Sequence, residues 1–174
     1  LEQEDIVLLE VSKAVDKTQQ VFKFKFISIL YLFVGLEINS TISKYYMESE
    51  FAYNFVRHMI NVILGFIYTI QLKRIATVAK HVLFDIASAI VGIFSFIYLL
   101  CAGWDYHPLT NFIPVVNIRV LAFLTAILSF VLYSRWTKND IYKYFGIFLG
   151  FCLIHLEIVD AIKAFDLYNF EYIL

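Results

Sequence analysis

Residues 82–102, VLFDIASAIVGIFSFIYLLCA, carry one charge, Asp85, in a run long enough to cross a lipid bilayer as a helix. About 20 mostly apolar residues cover about 30 Å of hydrocarbon. Four further stretches qualify, at residues 22–38, 55–72, 115–136 and 141–162. Backbone polar groups cannot go unpaired in lipid, so such runs fold as helices; a membrane barrel would show short alternating segments instead. The expected fold is therefore an all-α, polytopic transmembrane helical bundle of about five spanning helices.

Composition agrees with that reading. The chain is 61% hydrophobic and only 17% charged, against about 45–50% and about 25% for a soluble domain. So much apolar surface needs lipid as part of its solvent, which makes membrane lipids the first expected partners. A formal net charge of −1 provides no field for nucleic acid, and that partner class is dropped. Cys101 and Cys152 form no metal-site spacing and read as small hydrophobes in apolar segments. The sequence holds no HExxH, GxSxG or phosphate-cradling glycine loop, so neither metal nor cofactor is expected and no catalytic residue is named.

Residues 1–21 differ from the rest. In IVLLEVSKAV the apolar residues recur at helical spacing beside Glu10, Lys13 and Lys17. That pattern predicts an amphipathic helix that lies on the membrane surface or extends the first span as a stalk. Two regions follow, 1–21 and a transmembrane domain at 22–174. The acidic, mixed start is not a signal peptide, and the expectation is an ordered part of a longer chain.

Basic residues set the orientation. Ten of them flank the N-terminal side and the loops between spans two and three and between spans four and five; Lys44, Arg57, Arg119 and Lys163 fall on the other side. The N-terminus is expected in the cytoplasm and the C-terminus outside, in a multi-pass membrane protein. Tyr31, Tyr45, Tyr46, Tyr53, Trp104, Tyr106, Trp136, Tyr142 and Tyr144 gather near span ends as an aromatic belt. Pro108 and Pro114 bracket an expected turn before span four.

That topology puts six ionisable residues toward one leaflet: Glu37, Arg57, His58, Arg119, His155 and Glu157. Asp85 lies near the opposite end, beside Lys80 and His81. Charges at membrane depth are costly and pair with each other or face a wet cavity. Two arginines with two carboxylates suit Arg–carboxylate pairs. The layer is thus a ligand-binding pocket or a set of helix-pairing contacts. Ser28, Asn61, Thr69, Ser88, Ser95, Thr125 and Ser129 are the small polar groups that join membrane helices, and Gly146 and Gly150 form a GxxxG packing signal in span five.

Span one ends in FVGLEINSTI and span five in LIHLEIVDAI, which suggests a repeating unit of four spans cut after its second copy begins. The natural protein would then carry further spans. The run NIRVLAFLTAILSFVLYSRW followed by HLEIVD, together with LKRIATVAKHVLFDIAS, resembles a group of very large bacterial membrane proteins known as domain of unknown function 2339. The resemblance covers residues 30–165, and its pattern residues here are Glu37, Asp85, Arg119 and Glu157. The chain is far shorter than members of that group and lacks their alanine- and leucine-rich bias. The resemblance implies a bacterial inner-membrane setting and an architecture, and supplies no chemistry.

Three functions fit the sequence. The first is a transport or ligand-binding module with an outward-side polar pocket. The second is a structural or assembly subunit whose partners are other transmembrane subunits or further spans of the same chain. The third is an enzyme on lipid-linked substrates using Glu37 and Glu157 as acid and base; it is the least supported.

Overall fold

Apolar runs of this length have one way to satisfy their backbone in lipid, and the computed structural model, which describes residues 2–45, 50–80, 82–104 and 116–164, is helical there apart from short turns between helices. Its helices are α1 (Glu2–Tyr45), α2 (Glu50–Ala79), α3 (Val82–Gly103), α4 (Ile118–Thr137) and α5 (Ile141–Ala164). The expected turn around Pro108 and Pro114, and belt residues Tyr46 and Tyr106, lie outside the described residues.

Among the described residues, four segments are long and apolar enough to cross a membrane: Asn54–Val78, Val82–Gly103, Ile118–Thr137 and Ile141–Ala164. The chain is an all-α helical bundle of the multi-pass membrane type. The expected first crossing, residues 22–38, lies within α1, which runs 44 residues without a break at residue 21. That stretch, which carries Lys23, Lys25 and Glu37, is not among those four segments.

The chain divides into two compact units, Leu1–Glu37 and Ile38–Leu174. The first is a single helix, so no other element of that unit can cover its apolar side chains. The second holds the end of α1 and all of α2–α5. There the Asn39 amide donates to the Asn61 side-chain oxygen at 3.3 Å, tying the last turns of α1 to α2.

In the second unit, α2 packs on α3, α5 packs on α4, and α2 packs against α4. The buried positions explain why. On α2 they include Phe55, Met59, Val62, Phe66 and Thr69; on α3 Phe84, Ser88, Ser95, Leu99 and Ala102. On α4 they include Arg119, Phe123, Ala126, Ser129 and Tyr133; on α5 Gly146, Leu149, Leu156 and Asp160. Each set advances in steps of three, four or seven, a narrow stripe along one helix face of the kind that interlocks side chain by side chain.

What lies inside and outside those stripes is inverted relative to a water-soluble bundle. Phe94 and Phe151 stand 69% and 71% exposed, whereas Arg119 is fully buried and Lys73, Ser88, Ser129 and Asp160 are also buried. In water that arrangement would cost on both counts. In lipid it is favourable, because the outward apolar faces meet hydrocarbon and the polar groups find partners inside.

Close approach of α2 and α3 depends on two glycines. A methyl group built at Gly65 would overlap the Ser95 hydroxyl, and one at Gly92 would sit 3.1 Å from the Thr69 methyl. The expected GxxxG face of α5 does not act this way: a methyl at Gly146 would have ordinary contacts at 3.8 Å, and one at Gly150 would meet nothing within 4 Å. Spacing alone does not make a packing face; the partner helix has to come close at both positions.

Helices α2 and α4 stop at lysines in the left-handed conformation, Lys80 with φ 50° and Lys138 with φ 53°. Glycine is the usual residue there, but a basic side chain at a helix C-terminus faces the negative end of the helix dipole. After Lys138, the Asn139 side chain accepts from the Ile141 amide at 3.0 Å and starts α5.

Candidate functional site

Polar side chains of the second unit collect in two places, one at each end of the bundle. The first is built where α4 begins. Asn117 is the N-cap of α4, in extended geometry, and its side-chain oxygen accepts from the Val120 amide at 3.0 Å. A short polar residue before an apolar helix is expected to do this, because the first helical N–H groups lack partners. Its amide nitrogen then reaches α5 and donates to both carboxylate oxygens of Glu157, at 2.9 and 3.1 Å.

Arg119 sits just inside the helix. Its guanidinium forms an ion pair with Asp160, and the two side chains are 1% and 4% exposed. The guanidinium carbon also stands 5.3 Å from the centre of the Phe55 ring on α2. Glu157 and Asp160 are three residues apart and so share a helix face, which lets α5 hold both Asn117 and Arg119. An uncompensated charge at this depth would cost several kcal/mol, so the pairing couples α4 and α5 tightly. At the same end, His58 of α2 is hydrogen-bonded through Nδ1 to the Tyr98 hydroxyl of α3, with the rings edge to face at 5.6 Å.

The layer anticipated from sequence thus divides. Arg119, Glu157 and His58 are drawn into interhelical contacts; Arg57 and His155 are exposed on α2 and α5. Glu37 closes the first compact unit and is described with that unit alone. The expected pairing was of arginines with glutamates, but the ion-pair partner of Arg119 is Asp160. Neither Asp160 nor Asn117 was singled out, although both had a signal: Asn117 is a capping residue directly before an apolar helix, and Asp160 repeats the face of Glu157.

The opposite end holds Asp85. Sequence placed it beside Lys80 and His81, with Lys73 in a connecting loop. In fact α2 continues to Ala79, so Lys73 is on the helix and buried, and it pairs with Asp85 of α3. The Lys73 ammonium lies 5.0 Å from the centre of the Tyr133 ring. Tyr133 in turn shares a 2.8 Å hydrogen bond with Ser88, whose hydroxyl is 3.0 Å from the Thr69 carbonyl. These contacts join α2, α3 and α4.

Between the two ends lies a half-open cavity of about 380 Å³, lined by parts of α2–α5 and walled mainly by Phe66, Phe96, Phe130 and Phe145, with Ser88 and Tyr133 near the Lys73 end. Phe96 meets Phe130 and Phe145 edge to face, each at 5.6 Å, and Phe130 stacks on Phe145 at 5.6 Å. Its volume falls in the range of about 300–1,000 Å³ typical of small-molecule sites. A pocket was expected among the charges at the Arg119 end; this one is apolar and lies toward the Lys73 end. A smaller recess of about 250 Å³ adjoins Lys73, Lys80 and Asp85. Cys101 and Cys152 are free thiols, one exposed and one buried.

Comparison with known proteins adds no relative from which a role can be carried over: no family model matches the sequence, and no curated protein or solved structure matches it.

Proposed function

We propose that this chain is a binding or transport module of a multi-pass membrane protein, and that it takes a hydrocarbon-bearing molecule into the cavity among α2–α5. The observation that supports this reading is the aromatic-walled space of about 380 Å³ inside a bundle whose outer faces are apolar. The space is open on the side where Ile93 and Ile141 stand exposed, so hydrocarbon can reach its aromatic walls directly from the bilayer. Apolar walls with a few hydroxyls suit a chain with limited polarity. The orientation with the N-terminus in the cytoplasm, a bacterial inner-membrane setting and membership of the domain of unknown function 2339 group belong to the same proposal.

A second reading draws on a different observation. The Asn117–Glu157 and Arg119–Asp160 contacts satisfy polar groups within the chain, as they would in a structural or assembly subunit. In the proposed module the same contacts serve as the lock that holds α4 and α5 around the cavity.

An uncharged, apolar aryl diazirine separates the readings. In vesicles it should label cavity residues such as Phe130 and Tyr133 as well as the lipid-facing Phe151. Ala89→Phe, which fills the cavity wall from an exposed position, should remove the cavity labelling and leave Phe151 labelled. If the cavity residues stay unlabelled in the unaltered chain, the binding module is wrong and the structural reading stands.

A further inference from the structure

Resting on that binding reading, the arrangement around Lys73 points further, to the class of molecule. We infer that the cavity holds one acyl chain of an anionic phospholipid drawn from the bilayer, with the lipid phosphate received by Lys73 and Lys80 in place of Asp85.

Three observations carry this. The cavity has a side opening. Helix α3 packs on α2 and α5 on α4, so α3 and α5 form the two walls of a cleft bridged by the Phe96 and Phe145 rings. The residues at its mouth, Ile93 and Ile141, are 59% and 52% exposed and face hydrocarbon in a membrane. A chain can therefore enter sideways without crossing a polar layer, while a second chain of the same lipid stays outside on that surface.

A cation also stands beside the cavity, behind one of its lining rings. Tyr133 lines it, and the Lys73 ammonium lies 5.0 Å from the Tyr133 ring centre. On the far side of that ammonium is the recess lined by Lys73, Thr77, Lys80 and Asp85. Two ammonium groups against one carboxylate leave the recess net positive, which selects an anion. An apolar cavity with a basic recess beside it matches a molecule with a chain at one end and a negative head at the other.

The third observation is the unequal burial of the ion pair. The Lys73 side chain is 10% exposed and that of Asp85 is 51% exposed. Asp85 can turn to water at little cost, whereas Lys73 needs an anionic partner where it stands. A lipid phosphodiester brings two charged, non-ester oxygens to an ammonium with three donors, and among the described residues Asp85 accepts the one hydrogen bond found for that ammonium. Replacing a half-exposed carboxylate by a phosphate anchored through its own acyl chain is favourable for both ends of the lipid.

The test uses phosphatidylglycerol and phosphatidylcholine, each with a diazirine in one acyl chain, and the chain reconstituted in phosphatidylcholine vesicles. Peptides are mapped by mass spectrometry. Both lipids carry the phosphate, but the choline cation of phosphatidylcholine is repelled by the net positive recess. Phosphatidylglycerol should therefore label the cavity residues in preference to phosphatidylcholine on the order of tenfold, the equivalent of about 1.4 kcal/mol of charge discrimination. Lys73→Gln should bring the two lipids to parity with total cavity labelling retained. Asp85→Asn, which removes the competing carboxylate, should raise labelling by phosphatidylglycerol and leave phosphatidylcholine unchanged; it decides the matter should Lys73→Gln fail to fold. Equal labelling by the two lipids in the unaltered chain overturns the inference, and so does preferential labelling by a photoactivatable palmitate. Those results leave the apolar probe of the binding reading positive, so the two failures are distinguishable.

Discussion

Asp160→Asn is the perturbation whose size the structure defines best. Asp160 and Arg119 are 4% and 1% exposed and form an ion pair between α5 and α4. Removing one charge leaves the buried Arg119 guanidinium, beside the Phe55 ring, without the carboxylate charge of Asp160. Breaking a buried pair from one side costs about 3–5 kcal/mol, whereas an exposed pair is worth about 0–1 kcal/mol. At about 2–4 °C per kcal/mol for a chain of this length, the melting temperature should fall by about 6–20 °C. A thiol-reactive dye that reports on buried Cys152, in a Cys101→Ser background, reads the transition in micelles. Replacing both partners, as Arg119→Met with Asp160→Leu, should recover most of the loss, because no buried charge remains. A fall of under about 2 °C for the single variant, the response of an exposed pair, would refute the argument. So would a double variant as unstable as the single one.

The same assay checks three other expectations. Gly65→Val should cost about 1–3 kcal/mol by forcing α2 and α3 apart at Ser95, while Gly150→Val should stay within about 0.5 kcal/mol; equal effects would contradict the packing described. Asn117→Ala should lose about 2–4 kcal/mol, from the cap on α4 and the bonds to Glu157. Asn117→Asp keeps the cap oxygen but sets a second carboxylate against Glu157, so it should be no better than alanine; full stability for Asn117→Asp would show that the Glu157 contact carries little. Leu149→Ala, at a fully buried position on α5, should cost about 2–5 kcal/mol, and a melting temperature unchanged from the parent would place Leu149 outside the core.

The positions of α2–α5 were legible because the signal is long. A bilayer-length run of apolar residues leaves the backbone no alternative to a helix, and the seams show as small and polar residues such as Ser88 and Ser95 at regular steps. Helix ends were less legible. The apolar stretch of α2 stops at Leu72, but the helix continues to Ala79 and carries Lys73 into the bundle. Hydropathy ranks lysine as a loop residue; only Asp85 on the next helix and the Tyr133 ring on the one after make it tolerable inside.

Sequence by itself determined the fold class, four of the five apolar segments it marked as crossings and the presence of charges at their ends. These follow from local quantities, run length and composition, which do not depend on what a helix packs against. Tertiary structure alone decided who pairs with whom: Asp160 for Arg119, Asn117 for Glu157, Lys73 for Asp85, and a cavity among phenylalanines at a depth where charges elsewhere had drawn attention. Such choices turn on the rotation and register of one helix against another. A shift of one residue turns a helical side chain by about 100°, which is enough to exchange a buried partner for lipid.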